Sequence, residues 1–200
     1  MNLRNIFIVS CIATILAIVS GCSRHSPWHA KDISGLMPDL EFSLTDESGN
    51  PVTFDSYRGK TLMLFFGYTN CPDYCPTTLS KLARVLQQLP NDRKEVRILF
   101  VSVDPKRDSP RNLAIYTNNF APEVIGLTGS EPALRALTKR YRTTFSYGTP
   151  NAQGNYEVSH GLAVYVFDGK GEARLMILGE QTVPDIVADI KRLVNEQSPR

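Results

Sequence analysis

The chain has 200 residues, of which 42% are hydrophobic and 21% are charged, and its formal net charge is +2 at pH 7. This composition is that of a globular protein, and the length suits one domain with a single sizeable core. Basic residues are scattered among nearly as many acids, so the sequence offers no basic stripe and excludes nucleic acid as a predicted partner.

The N-terminal segment differs in composition from the rest of the chain. Arg4 is the only charge before Arg24, and the residues between them form an apolar run, which is typical of a signal peptide. The run is also about as long as a short membrane span, so an uncleaved anchor is the alternative. Its end, IVSGC, resembles the lipobox of bacterial lipoproteins. We therefore expect residues 1–21 to be a lipoprotein signal peptide, Cys22 to carry lipid, and the protein to face the periplasm.

Residues 22–38 show no hydrophobic period and contain Pro, Gly and Ser. This pattern predicts a lipid-anchored tether between the membrane and a folded domain at residues 39–200. His25 and His29 fall in the tether, where we expect them to be solvated.

From residue 39 the sequence alternates strand-like and helix-like segments, with prolines and serines at the predicted helix starts. In chain order these are a hairpin (40–54), a buried strand (60–68), a helix (76–89), a buried strand (96–105), a helix (108–120), a short edge strand (123–129), a helix (130–142), a hairpin (143–160), two strands (162–168 and 173–179) and a final helix (183–197). The order predicts an α/β fold with a mixed central sheet flanked by helices. A thioredoxin-like fold with an N-terminal β-hairpin extension fits best, because a cysteine pair follows the first central strand, where thioredoxin-like proteins keep their active site.

That pair, in FFGYTNCPDYCPTTLSKL, has CxxxC spacing with a proline after each cysteine. Once Cys11 leaves with the signal peptide and Cys22 carries lipid, Cys71 and Cys75 are the thiols left to the exported domain. A bridge across so short a loop removes little unfolded-state entropy, so a structural disulfide explains the pair poorly. The two prolines also argue against a pair of buried apolar thiols. A helix start stabilises thiolates, so we expect lowered thiol pKa values and either disulfide exchange or binding of a soft metal ion.

A metal site would need a third ligand, and His160 is the candidate because it lies just before a predicted core strand. On the residues alone, copper and zinc remain open, since both accept two thiolates and an imidazole. A peroxidase of the peroxiredoxin type is disfavoured, because Thr69 stands only two residues before Cys71 and the expected TxxC is absent. Asp104 ends the second buried strand, which places it on the same sheet edge as the cysteine loop.

Three separated blocks, FFGYTNCPDYCPTTL, VSVDPKRDSP and GLAVYVFDGKGE after His160, resemble the signatures of the Sco/SenC family. This family comprises copper-binding thioredoxin-like proteins that take part in assembly of cytochrome c oxidase, and the resemblance covers residues 39–195. It implies that Cys71, Cys75 and His160 bind copper as Cu(I) or Cu(II). It also implies that the carboxylate of Asp104 orients the site or tunes a thiol. The alternative is that Asp104 only forms an ordinary turn at the end of the strand.

Two functions follow from this resemblance. One is a metallochaperone for the dinuclear copper site of cytochrome c oxidase, with oxidase subunit two or other assembly factors as partners. The other is a thiol-disulfide oxidoreductase that reduces the partner's cysteines or serves in redox and copper stress. The sequence reads SHGLAV where many relatives have an acid before the histidine and a hydroxyl after it, which leaves the hydrogen-bond partner of His160 open. Ser23 after the lipidated cysteine leaves the choice of inner or outer membrane open.

Overall fold

The computed structural model describes residues 28–197. Its ten strands are β1 Lys31–Asp32, β2 Ser43–Asp46, β3 Pro51–Thr53, β4 Thr61–Gly67, β5 Val96–Ser102, β6 Val124–Thr128, β7 Phe145–Tyr147, β8 Val158–His160, β9 Val164–Phe167 and β10 Ala173–Ile177. The α-helices are α1 Tyr74–Gln87, α2 Pro110–Thr117, α3 Glu131–Arg140 and α4 Val183–Gln197, with short 3-10 helices at Phe54–Tyr57 and Arg93–Glu95. Eight strands form one mixed sheet in the order β1-β10-β9-β4-β5-β6-β2-β3, and β7 pairs with β8 in a second sheet. The predicted α/β fold with a mixed central sheet flanked by helices is confirmed.

Strand β4 lies at the centre of the main sheet. It pairs in parallel with β5 and antiparallel with β9, and each of its residues is buried. A strand covered on both faces needs a continuous apolar run rather than alternation, which is what residues 61–67 supply. The strand ends at Gly67, so the next residues emerge at the carboxyl edge of the sheet, just before α1.

Serine caps start two of the helices, as the sequence predicts. The Ser109 hydroxyl accepts a hydrogen bond from the backbone N–H of Asn112 at 3.3 Å, and a proline occupies the first turn of α2. The Ser130 hydroxyl accepts one from the N–H of Ala133 at 3.4 Å, and α3 has the same first-turn proline. Each cap satisfies a backbone donor that the helix leaves unpaired.

The expectation that residues 123–129 form an edge strand is wrong. Strand β6 lies inside the sheet, parallel to β5 on one side and antiparallel to β2 on the other. The N-terminal hairpin of β2 and β3 adds to β6 and places β3 at the edge. A short strand covered by a distant hairpin is not distinguishable in sequence from one that ends the sheet.

The predicted tether is also wrong for residues 28–38. Strand β1 pairs antiparallel with β10, and the flanking Ala30 and Ile33 are buried at 4% and 2% exposure. The backbone N–H of Ala30 donates a 2.8 Å hydrogen bond to the carboxylate of Asp189 in α4. These residues therefore belong to the folded domain, held by partners too distant in sequence for a local pattern to reveal.

The signal peptide, the lipidation site at Cys22 and His25 lie outside the described residues. His29 is described; its side chain is 54% exposed, as expected, and its Nδ1 lies 3.4 Å from the carboxylate of Asp185. None of the helices between residues 28 and 197 combines the length and the apolar character that crossing a membrane requires.

Candidate metal centre

The two cysteines lie at the junction between β4 and α1. Cys71 stands in the turn that follows the strand and is partly exposed, whereas Cys75 is the second residue of the helix and is buried. The turn is closed by the N–H of Cys71, which donates to the carbonyl of Tyr68 at 3.3 Å. The N–H of Cys75 then donates to the sulfur of Cys71 at 3.4 Å. The helix start thus supplies a backbone donor to the first thiol, as the motif predicts.

His160 reaches the cysteines from the smaller sheet. It is the last residue of β8, paired with Phe145 of β7, and its Nε2 lies 3.4 Å from the sulfur of Cys75. Its Nδ1 lies 2.9 Å from the carbonyl oxygen of Gly161, so a proton on Nδ1 donates to that carbonyl and leaves the Nε2 lone pair facing the thiols. The rings of Phe65 and Tyr68 contact the imidazole edge-on, with centroids 6.1 and 5.8 Å away.

The partner of His160 is therefore a main-chain carbonyl. The sequence left this partner open, because SHGLAV lacks the acid and the hydroxyl residue found in many relatives. A backbone oxygen needs no particular side chain beside the histidine, so the imidazole is oriented for coordination without them.

The ligand atoms of Cys71, Cys75 and His160 all lie within 4.8 Å of one another. Bonds of an ion to thiolate sulfur and imidazole nitrogen are about 2.0 to 2.3 Å long, so a single ion fits among the three atoms after small side-chain movements. Two thiolates and an imidazole suit a soft ion such as Cu(I), and the imidazole also suits Cu(II). The donor set therefore fits copper, and the structure brings together the three residues that the sequence singled out.

Burial governs the ionisation of Cys75 and of His160. It raises the pKa of the Cys75 thiol far above the ordinary value, and the nearby Cys71 raises that pKa further. The expectation of a lowered pKa is thus wrong for Cys75, because the loss of water around its sulfur outweighs the helix start. Burial also lowers the pKa of His160, opposed by its bond to Gly161, so the imidazole is neutral at pH 7 and its nitrogen is available to a metal.

Asp104 lies near the site but does not touch the three ligand atoms. Its carboxylate is fully buried, forms an ion pair with Arg107 and accepts a 2.8 Å hydrogen bond from the hydroxyl of Tyr156. The Arg107 guanidinium stacks 3.7 Å from the ring centroid of Tyr156 and lies 5.7 Å from that of Tyr68, which in turn contacts His160. Asp104 is therefore linked to His160 through Arg107 and Tyr68, and its backbone N–H also donates to Ser102 at 3.1 Å.

A second buried carboxylate nearby escaped the sequence reasoning. Asp108 follows Asp104 by four residues and is bonded to Thr69, which stands two residues before Cys71. The available signal was an acid just before the Ser109 cap in VSVDPKRDSP, on the loop at the same sheet edge as the cysteines. An acidic residue just before a helix is common, so this signal alone does not distinguish Asp108 from an ordinary polar residue at a helix start.

The site opens into a cavity of about 560 Å³ lined by Cys71 and His160. Two large apolar side chains on its rim are exposed to solvent, Tyr74 at 59% and Leu162 at 48%. Exposed apolar surface beside a reactive group is typical of a docking surface for another protein.

A family model described as SCO1/SenC matches residues 35–195. The mitochondrial SCO2 homolog of Mus musculus is 34% identical over 154 residues, which is 76% of this chain and 60% of the mouse protein. The chain therefore spans 60% of the length of the mouse protein, and it spans 64% of the length of a SCO2-like protein of Rickettsia prowazekii.

Several solved structures are similar to this one. The structure of Bradyrhizobium japonicum ScoI with copper bound matches with a TM-score of 0.71 and 35% identity, covering 78% of this chain and 98% of that one. A SCO1/SenC family lipoprotein from Bacillus anthracis matches with a TM-score of 0.69 and 25% identity, covering 82% and 97%. These neighbours share the thioredoxin-like fold predicted for the chain.

Proposed function

Because the chain belongs to the SCO1/SenC family, we propose that it is a copper metallochaperone for assembly of the dinuclear copper site of cytochrome c oxidase. The observation that carries this proposal is the convergence of the Cys71, Cys75 and His160 donor atoms within 4.8 Å. A similar structure, ScoI of Bradyrhizobium japonicum, was solved with copper bound. The partner proposed from the family is oxidase subunit two or another assembly factor for its copper site.

The exposure of the ligands suggests how copper would be transferred. Cys71 is partly exposed, whereas Cys75 is fully buried. An incoming thiolate therefore meets Cys71 first and replaces it, while Cys75 and His160 hold the ion from the protein side. Stepwise replacement lets a soft ion pass between thiolates without becoming free in solution.

Metal analysis of the full-length protein, purified with its thiols reduced, tests this function. We expect about one copper per chain after incubation with Cu(I), and retention of that copper in the presence of an equal amount of zinc. A protein that takes up zinc in preference, or that keeps no metal through gel filtration, contradicts the proposal.

A second candidate function is thiol-disulfide exchange, favoured by the unequal exposure of the two sulfurs. Cys71 would attack a sulfur of the partner's disulfide and release one partner thiolate, forming a mixed disulfide. Cys75 would then give up its proton and attack the Cys71 sulfur, which forms the Cys71–Cys75 disulfide, and the second partner sulfur leaves and takes up a proton as a thiol. The partner's disulfide is reduced by two electrons and this pair is oxidised by two.

Single-turnover reduction of an oxidised partner peptide separates the two functions. An oxidoreductase consumes its own dithiol in step with the appearance of partner thiols, and the C75S variant arrests at the mixed disulfide. A protein that holds copper and leaves the disulfide intact is a metallochaperone only.

We also propose that Cys22 carries the lipid that anchors the protein to a bacterial membrane, with the domain facing the periplasm. The supports are the IVSGC sequence and the similarity to a SCO1/SenC family lipoprotein of Bacillus anthracis. Intact-mass analysis of the mature protein tests this, because a diacylglyceryl group on an N-terminal Cys22 adds a defined mass that the C22S variant lacks. An N-terminus at Met1 in the membrane fraction would show an uncleaved anchor instead.

A further inference from the structure

Asp108 is a buried carboxylate that takes no part in the proposed ligand set. Its side chain is fully buried, in the connection between β5 and α2. One carboxylate oxygen accepts a 2.6 Å hydrogen bond from the hydroxyl of Thr69. The other accepts from the backbone N–H of Thr69 at 2.9 Å and from the hydroxyl of Ser102 at 2.6 Å.

Thr69 stands in the loop that carries Cys71. The carbonyl of Gly67 before it accepts a hydrogen bond from the N–H of Val103 at 2.8 Å, which extends the pairing of β4 with β5. Beyond that point, the two Thr69 bonds to Asp108 fasten the loop to the neighbouring β5–α2 connection. The turn from Tyr68 to Cys71 closes immediately afterwards.

Three donors converge on one buried side chain, and two of them come from the same residue. A carboxylate can satisfy all three because each oxygen accepts more than one hydrogen bond, while a shortened side chain would leave the buried donors unsatisfied. The arrangement fixes both the backbone and the side chain of Thr69. It therefore limits the positions that the partly exposed Cys71 sulfur can adopt relative to Cys75.

From this geometry we propose that Asp108 is a positioning residue, which holds the Thr69 loop so that the Cys71 sulfur stays within reach of Cys75 and His160. Ser102 donates from β5 to the same carboxylate oxygen that accepts the Thr69 backbone N–H, and it has no hydrogen bond to the loop itself. Only one of the two readouts below, copper binding, rests on the proposed copper function. The other, the reactivity of Cys71, is measured in the metal-free protein.

Threonine and serine variants of the full-length protein test this more cleanly than D108A, which can fail to fold. T69V removes the hydroxyl bond to Asp108 and keeps the shape of the side chain and the backbone N–H. T69S keeps the hydroxyl and serves as the conservative rescue. S102A is the control for a general effect at this carboxylate, because it removes the hydroxyl bond to Asp108 and the acceptor of the Asp104 N–H but no bond to the cysteine loop.

Two measurements follow for each variant. The first is the alkylation rate of Cys71 by iodoacetamide in reduced, metal-free protein, read peptide by peptide in a mass spectrometer. The second is the affinity for Cu(I) in competition with a chelator, together with the Cu(II) electron paramagnetic resonance spectrum. We expect T69V to alkylate several-fold faster, to bind Cu(I) about tenfold more weakly and to shift the Cu(II) hyperfine splitting. We expect T69S and S102A to match the wild type.

Two results would overturn the proposal: T69V indistinguishable from wild type in both measurements, or S102A changed as much as T69V, which would mean a general structural effect. A wild-type protein that binds no copper refutes the copper function instead. The alkylation rates then still decide whether Asp108 positions Cys71.

Discussion

The Nε2 atom of His160 lies 3.4 Å from the sulfur of Cys75, although 85 residues separate them in sequence. The contact joins the end of β8 to the first turn of α1, and its nitrogen lone pair faces the thiols because Nδ1 is turned to the Gly161 carbonyl. This relationship supplies the third donor that two cysteines lack.

Replacing His160 with Ala should weaken Cu(II) binding by at least about 100-fold and change the Cu(II) spectrum, because one of three donors is lost. H29A is the matched control, since His29 is exposed, lies next to Asp185 and is not one of the three converging ligands. Titration followed by absorbance and electron paramagnetic resonance checks both variants. An unchanged spectrum and affinity in H160A would rule out the three-donor site.

Gly67 should tolerate no side chain, because a Cβ there would lie 2.5 Å from a ring carbon of Phe100 and 2.8 Å from the sulfur of Cys75. We expect G67A to lower the free energy of unfolding by about 1 to 3 kcal/mol and to disturb metal binding by displacing the sulfur. G179A is the control, since nothing lies within 4 Å of its added Cβ, and it should stay within about 0.5 kcal/mol of wild type. Urea denaturation measures both, and equal stability of the two variants would contradict the prediction.

The two cysteines should differ in reactivity. Cys71 is partly exposed, whereas burial raises the pKa of Cys75 and keeps it a thiol at pH 7. We expect iodoacetamide to modify Cys71 at least about tenfold faster than Cys75 in the folded, metal-free protein, because the thiolate is the nucleophile. The same peptides in denaturant provide the control, where the two rates should converge. Equal rates in the folded state would show that Cys75 is neither buried nor protonated.

The ion pair between Arg93 and Glu123 should contribute to stability in a pH-dependent way. The guanidinium donates two hydrogen bonds of 2.7 and 2.8 Å, which hold the pKa of the Glu123 carboxyl below its usual range. A carboxyl with a lowered folded-state pKa stabilises the protein above its unfolded pKa of about 4.3, and the contribution is lost as pH falls through the folded pKa. At pH 7 we expect E123Q to cost about 1 kcal/mol, given partial exposure.

The E123Q difference should therefore shrink towards zero in acid denaturation series below about pH 4. D55N is the control, because Asp55 pairs with Arg58 at an exposed position, 71% and 61% accessible, and should cost less than about 0.5 kcal/mol at any pH. A constant E123Q penalty down to pH 3 would mean that packing rather than charge stabilises the pair.

Tyr74 and Leu162 should matter for copper delivery more than for copper binding. Both are exposed on the rim of the cavity that contains Cys71 and His160. We expect Y74S and L162S to bind copper normally and to transfer it several-fold more slowly to the soluble domain of oxidase subunit two, the proposed partner, because apolar rim contacts are lost. L36S is matched in exposure, at 60%, and lies outside this cavity. A slower transfer by L36S as well would refute a specific docking rim.

Local pattern was sufficient for much of the fold. The apolar run at residues 61–67 predicted the buried central strand, and the serines before Pro110 and Pro132 predicted two helix starts, because each signal depends on neighbours along the chain. The cysteine pair and His160 were likewise singled out from sequence as possible ligands, and the structure brings them together.

What the sequence did not predict depends on distant partners. Ala30 is fixed by Asp189, 159 residues away, so residues 28–38 looked like a tether. The pKa of Cys75 depends on how completely the packed core excludes water from its sulfur. The position of a cysteine at a helix start does not reveal that degree of burial. The proposed positioning role of Asp108 likewise rests on hydrogen bonds from Thr69 and Ser102 that only the structure shows.

The cysteines and His160 belong to two different sheets, since the β4–α1 junction continues the eight-stranded sheet and His160 ends a strand of the two-stranded one. An ion bonded to all three is consequently a cross-link between the two sheets. Loading the protein should slow amide hydrogen exchange in β7 and β8, and giving up the ion should restore it. The mobility of the β7–β8 hairpin should therefore differ between the copper-loaded and the copper-free protein. A binding partner that contacts this hairpin could distinguish the two forms.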